Sequence, residues 1–252
     1  MRRAICFDDI LLEPSYSNIE SRSEVSLLTT LTPNEKDTLK LPIVSAPMDT
    51  VTGAEMAIAM DLAGGLGVLH RYNTVLEQVD IVKEIQELRK NTRFGAAIGV
   101  TGEYVDRATA LYDAGCRIFC LDVAHGHHAL MKNALKTLRD IFGKSVHLMA
   151  GNIATLEAFN DLSDWGADSI RVGVGGGSIC STRVQTGHGI PTLQSIIDCA
   201  NSDRDAILIA DGGIKNSGDM VKALAAGADI VMCGSLLAGT NETPGTILRS
   251  ND

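Results

Sequence analysis

A chain of 252 residues, 45% hydrophobic and 21% charged, is long enough for one large core of the size an α/β barrel has, and with only 4% aromatics that core is built from Ala, Val, Ile, Leu and Met. The formal net charge of −9 excludes a general nucleic-acid or membrane-surface binder, whose footprint would be basic, and leaves room for a local anion site. No apolar run reaches the roughly 18 residues that span a bilayer, and the two arginines near the start precede no apolar signal segment.

Residues 1–40 are irregular and read as an arm that wraps and packs on a single barrel domain at 41–252. From Leu41 short apolar runs alternate with helical patterns. Strands are predicted at 42–46, 67–70, 95–100, 118–123, 146–150, 169–174, 206–210 and 230–233. Helices are predicted at 53–63, 74–89, 103–114, 129–142, 156–165, 193–200 and 218–226. Strand–helix alternation argues for parallel βαβ units, and eight strands argue for a closed (β/α)8 TIM barrel. A weak repeat agrees with closure. Gly64, Gly115, Gly166 and Gly227 each stand where a helix would end in the left-handed conformation, just before the second, fourth, sixth and eighth strands.

In such barrels the active site lies at the C-terminal ends of the strands. Nearly all the unusual polar residues of this chain fall there. The stretch 173–183 reads Gly-Val-Gly-Gly-Gly-Ser-Ile-Cys-Ser-Thr-Arg. Its glycines let backbone approach a ligand, its clustered N–H groups suit an anion such as phosphate, and Cys180 beside them is a nucleophile candidate. The alternative is a structural glycine turn with a buried cysteine. Barrel enzymes often bind phosphate after strands seven and eight, here Asp211-Gly212-Gly213 and Gly234-Ser235; with Gly177-Ser178 these make three Gly-containing donor sets on adjacent strands. Asp211 is better suited to a sugar diol than to phosphate.

Arg171 lies within the sixth strand and needs an anionic or carbonyl partner. That partner is either a core acid such as Asp168 or a ligand, and its closeness to the glycine run favours the ligand. His125, His127 and His128 with Asp122 have a metal-like composition, but no other strand end supplies a convergent His/Cys set, so Asp122 reads rather as a hydrogen-bonding ligand contact. His147 reads as a core residue. The six cysteines, at 6, 116, 120, 180, 199 and 233, form no CxxC pair, which fits a reduced cytoplasmic protein whose thiols are mostly packing groups.

Together these residues resemble the IMP dehydrogenase/GMP reductase family from Phe7 to about Gly245. The motifs that carry the resemblance are the runs at 7–14, 46–52 (Ala-Pro-Met-Asp-Thr-Val-Thr), 64–71, 122–127, 150–152, 171–183, 210–213 and 234–240. The resemblance implies a (β/α)8 barrel, a homotetramer, a purine monophosphate substrate (IMP/XMP or GMP) and a nicotinamide cofactor. It implies that Cys180 attacks C2 of the purine, with Thr182 assisting. Ser45, Met48, Arg171, Gly177, Ser178, Asp211, Gly213, Gly234 and Ser235 would hold the nucleotide. Asp122, Asn152 and Gly173 would lie toward the nicotinamide. Carbonyls of Gly175, Gly177 and Cys180 would line a monovalent-cation site for K+.

Two departures accompany the resemblance. The regulatory CBS pair of most IMP dehydrogenases is absent, since 89–93 is only a short connection. The family's tail after the eighth strand, with its flap and last helix, is not found among the 252 residues, so a barrel without its last helix and flap is expected. Pro47 and the run 239–245 resemble the dehydrogenase, which couples IMP oxidation to NAD; 21–25 and the missing CBS pair resemble the reductase, which uses NADPH and releases ammonia from GMP. The dehydrogenase is the expectation. A catalytically incomplete IMP- or GMP-binding barrel is the alternative of another class.

Overall fold

A computed structural model describes residues 3–32, 38–177 and 181–246. A two-residue hairpin, β1 (Thr29–Thr30) with β2 (Thr38–Leu39), precedes eight parallel strands: β3 (Ile43–Ser45), β4 (Leu66–Leu69), β5 (Phe94–Ile98), β6 (Ile118–Asp122), β7 (His147–Ile153), β8 (Ser169–Val172), β9 (Ile207–Asp211) and β10 (Ile230–Cys233). They pair in chain order, and β10 closes onto β3. The fold is therefore a (β/α)8 TIM barrel, as the alternation predicts.

The helices are α1 (Ala54–Ala63), α2 (Val75–Leu88), α3 (Tyr104–Asp113), α4 (Ala129–Phe142), α5 (Leu156–Asp164), a short α6 (Thr182–Thr186), α7 (Thr192–Cys199) and α8 (Ser217–Ala225). Their starts are written in the sequence. Thr74 and Glu77 exchange hydrogen bonds as a capping box before α2, and Asn216 accepts from the Asp219 amide before α8. Along α4, Met131, Ala134, Leu135 and Leu138 are buried at the spacing of one helical face. The four repeat glycines all have the left-handed φ the repeat requires, between +89° and +108°.

Period-two alternation splits the core. One cluster fills the space between strands and helices, and Ile170 and Val172 of β8 belong to it. The other fills the barrel and takes Ile118 and Cys120 from β6, Ile207 and Ile209 from β9, and Ile230 and Met232 from β10. Leu31 and Leu39 of the hairpin join this inner cluster at the N-terminal mouth and close it. The arm touches the barrel at Phe7, which is buried, and at the hairpin; residues 11–28 between them are exposed, Leu11 at 88% and Tyr16 at 95%.

Most strand ends differ from the predicted ones by one or more residues, and the differences at β7 and β8 have a physical reason. β7 continues past its predicted end at 150 through Gly151 and Asn152, because Val123 beyond β6 exchanges hydrogen bonds with them: its N–H donates to Gly151 O (3.0 Å) and its carbonyl accepts from Asn152 N (2.9 Å). β8 stops before Gly173, whose φ of +151° leaves the strand conformation. Neither the hairpin nor α6 has enough apolar periodicity to announce itself.

Candidate active site

The inward columns of the barrel decide what meets at its C-terminal mouth. On β6 the column Ile118, Cys120 is followed two residues on by Asp122; on β8 Ser169 is followed by Arg171; on β9 Ile207 and Ile209 are followed by Asp211. Apolar side chains fill the floor and charged ones cap it.

Arg171, 6% exposed, bridges the two carboxylates. Its Nη1 donates to Asp122 Oδ1 at 2.6 Å, and its Nε and Nη2 donate to Asp211 Oδ2 at 3.1 and 2.8 Å. Asn152 completes the group, its Nδ2 donating to Asp211 Oδ2 (2.7 Å) and to Gly173 O (2.9 Å). The β7–β8 pairing skips Asn152, matching Gly151 to Arg171 and Ile153 to Val172. Burial opposes the Arg171 charge, but the Cys120 sulfur at 3.3 Å and the Asp211 and Asp122 carboxylates outweigh it and hold the pKa well above the usual arginine value. Burial in turn pushes the Cys120 thiol up to about 11, so at neutral pH this sulfur is uncharged and the carboxylates hold the cation. Arg171 thus has two strand-end carboxylates as partners. Asp168, the core acid that might have taken it, is bound by Arg139 and the Leu148 amide.

The glycine run forms the wall beside this network. A Cβ at Gly173 would fall 1.8 Å from Asp211 O, and one at Gly176 would fall 2.0 Å from Thr192 Oγ1. Gly213 faces Gly176 O, and Gly212 faces the Gly177 amide. The loops after β8 and β9 therefore lie backbone against backbone, a contact that only glycine permits. Thr192 Oγ1 is buried and has no hydrogen-bond partner among the described residues. A cavity of about 390 Å³ opens here, lined by Gly175, Gly177, Gly213, Arg183, His188 and Lys215 among others.

The remaining predicted residues sit around the same mouth. Ser45 ends β3 fully buried, its Oγ 2.8 Å from Thr52 Oγ1. Met48 packs over Gly234, where a Cβ would meet its sulfur at 3.2 Å, and the Ala46 amide donates to Cys233 O, so the loops after β3 and β10 join. Ser235 follows Gly234 at this junction, and Thr182 begins α6. Ser178 and Cys180 lie outside the described residues. The histidines after β6 diverge: His127 Nε2 pairs with Asp161 at 2.8 Å, His128 Nδ1 accepts from the Leu130 amide, and His125 is exposed. His147 is buried, 2.7 Å from Ser169 Oγ.

Two residues not singled out by sequence reasoning belong to the site. Cys120 contacts the Arg171 guanidinium, and Arg71 donates from Nη2 to Asp122 O (3.1 Å) with its Nε 3.9 Å from Asp122 Oδ2. The period-two phase of Ile118, Cys120 and Asp122 would have found the first. Arg71, directly after a strand-end histidine, carried only its position as a signal.

A sequence model described as "IMP dehydrogenase / GMP reductase domain" matches residues 4–252. The chain is similar to an inosine-5'-monophosphate dehydrogenase of Nitrosopumilus maritimus (strain SCM1), 33% identical over 376 residues, covering 99% of this chain and 78% of that protein. It is similar to an inosine-5'-monophosphate dehydrogenase of Cryptosporidium parvum, 39% identical over 287 residues (96% and 70%), and to a GMP reductase of Leishmania major, 30% identical over 378 residues (97% and 76%). All three alignments run over more positions than this chain has residues, so these relatives carry segments that it lacks. The chain belongs to the IMP dehydrogenase/GMP reductase family.

Proposed function

We propose that this protein oxidises IMP to XMP with NAD through a covalent adduct between Cys180 and purine C2. The observation that carries the reading is the double glycine wall. Gly173, Gly176, Gly177, Gly212 and Gly213 keep side chains off one wall of the mouth, and the Arg171–Asp122–Asp211–Asn152 network borders that wall, Asn152 donating to Gly173 O. Glycine backbone suits the phosphate of a nucleotide, and the fixed carboxylate of Asp211 suits its ribose hydroxyls.

The nucleotide would be held by Ser45, Met48, Arg171, Gly177, Ser178, Asp211, Gly213, Gly234 and Ser235. Arg171 acts there chiefly by fixing the carboxylates, which take three of its five N–H donors. NAD would lie next to the nucleotide. Asp122, Asn152 and Gly173 would face it, and Arg71 Nε, buried beside Asp122 without a hydrogen bond among the described residues, is a donor for it. When bound, NAD supplies the acceptor for the hydride that leaves C2. The thiolate of Cys180 adds to C2 before that step, and water then attacks C2, releasing XMP and regenerating the thiol, with Thr182 moving a proton nearby. Carbonyls of Gly175, Gly177 and Cys180 would supply uncharged donors, which suit a monovalent ion such as K+.

The similarity to a GMP reductase supports a second reading, in which the cysteine helps expel ammonia from GMP and NADPH is the reductant. Either reading brings with it a cytoplasmic homotetramer, and a partner copy would cover the exposed apolar residues of the arm, such as Leu11, Tyr16 and Leu28. No helix among the described residues is long and apolar enough to cross a membrane.

The test is the adduct itself. Acid quenching of protein with IMP and NAD, followed by intact mass, should reveal a nucleotide-sized increment that maps to Cys180 and vanishes in Cys180→Ala. Turnover that persists in Cys180→Ala would refute the covalent route. Binding of IMP without turnover in the parent protein would identify a nucleotide-binding barrel instead.

A further inference from the structure

A second cavity, of about 790 Å³, lies at the opposite, N-terminal mouth of the barrel. Its lining comes from the starts of the strands: Arg93 and Phe94 at β5, Arg117 and Ile118 at β6, Asp168 before β8 and Asp205 before β9. Arg139 near the end of α4 and Lys144 in the turn to β7 complete its polar side. Its size lies within the roughly 300–1,000 Å³ of small-molecule sites. This mouth of a barrel ordinarily serves stability, not chemistry. Nothing in the proposed reaction uses it.

Its charge is the informative feature. Arg139 and Asp168 pair and cancel. Among the described residues, Arg93, Arg117 and Lys144 then stand against Asp205 alone, in a chain whose net charge is −9. Among the described residues no carboxylate pairs with Arg93 or Arg117. Arg117 Nη1 donates to the carbonyls of Tyr112 (2.6 Å) and Cys116 (2.8 Å), and its guanidinium stacks 3.9 Å from the Tyr112 ring centroid. Arg93 Nη2 donates to Thr38 O at 2.6 Å. A carbonyl satisfies a donor but leaves the cationic charge in place. Lys144 makes no hydrogen bond or ion pair among the described residues and is exposed at the rim. Like charges gathered around a cavity repel, and the arrangement becomes favourable when an anion enters. Planar guanidinium forks with an ammonium suit phosphate oxygens.

We propose that this cavity is a second ligand site, separate from the catalytic mouth, that binds a multiply charged phosphate anion. A free polyphosphate and the triphosphate chain of a nucleotide share this chemistry.

The experiment titrates the whole protein calorimetrically with inorganic tripolyphosphate and, separately, with ATP, each with and without saturating IMP. One anion should bind per chain with the same affinity whether or not IMP is present. Lys144→Glu and Arg93→Gln, both outside the catalytic mouth, should each weaken binding about tenfold or more while circular dichroism remains that of the parent. Tripolyphosphate binding alone identifies an inorganic anion, whereas tighter ATP binding that is equally sensitive to both variants identifies a nucleotide. Absence of binding by either probe, competition by IMP, or unchanged affinity in two folded variants would overturn the proposal.

Discussion

Replacing Arg171 by Met removes the cation that bridges two strand-end carboxylates and leaves Arg71, with its Nε 3.9 Å from Asp122 Oδ2, on one of them alone. Arg171 is 6% exposed, and its bonds to Asp122 and Asp211 measure 2.6 and 2.8 Å. Methionine is close to the aliphatic stem in volume, so the loss is chiefly electrostatic rather than a cavity. Breaking a buried ion pair by removing one partner costs about 3–5 kcal/mol, because the remaining charge is left uncompensated. Here two carboxylates are left facing one another, so the upper part of that range applies. At roughly 2–4 °C per kcal/mol for a chain of this size, the melting temperature should fall by on the order of 10–20 °C. Arg171→Lys keeps the charge but not the fork, and should recover only part of the loss. In Arg171→Met, adding Asp122→Asn should restore stability, since it removes one of the two negative charges; this non-additivity is the signature of a shared network. Scanning calorimetry of the parent, Arg171→Met, Arg171→Lys, Asp122→Asn and the Arg171→Met/Asp122→Asn double variant is the assay. Arg171→Met within about 1 kcal/mol of the parent, or strict additivity with Asp122→Asn, would refute the reasoning.

Gly173→Ala places a methyl 1.8 Å from Asp211 O at a φ of +151°, so β8 and β9 must part; a loss of about 1–3 kcal/mol or more and weakened nucleotide binding are expected, and a folded, fully binding variant would contradict the wall. Burial pushes the thiols of Cys116 and Cys199 up to about 12 and those of Cys120 and Cys233 up to about 11. In native protein at mildly alkaline pH iodoacetamide should therefore modify exposed Cys6 and spare these four, and peptide mapping that finds them alkylated would show the core to be open. Burial lowers the pKa of His70 below its ordinary 6.5, with Asp49 opposing in part. The unfolded chain then takes up that proton first as pH falls, so the stability contributed by neutral His70 is present above 6.5 and is lost as pH drops through its folded value. Urea midpoints followed through this interval should decline less steeply in His70→Gln; identical slopes would exclude the residue as the source.

The barrel was legible because each level of the sequence agrees. Apolar runs alternate with capped helical patterns, and four glycines mark helix ends in phase. The convergence at the mouth was legible in part. Gly173, Gly177, Asp211 and Gly213 fall where strand-end reasoning puts a site, yet the partner of Arg171 was not fixed by it. Choosing between Asp168, three residues earlier, and Asp122 or Asp211, about forty or more residues away, requires knowing which residues point inward. Asp168 is instead claimed by Arg139, a long-range pairing from α4 that no local pattern contains. The continuation of β7 through Gly151-Asn152 was hidden for the same reason, since the hydrogen bonds that hold it come from Val123 on the neighbouring strand. The N-terminal cavity leaves no motif at all, because Arg93, Arg117 and Lys144 are lone surface cations until the barrel gathers them.

The central claim is the direction and substrate of the redox reaction, and nicotinamide absorbance measures it directly. Protein given IMP with NAD should generate reduced cofactor together with XMP, while protein given GMP with NADPH should leave the absorbance unchanged. Consumption of NADPH with GMP, and none of NAD with IMP, would contradict the account.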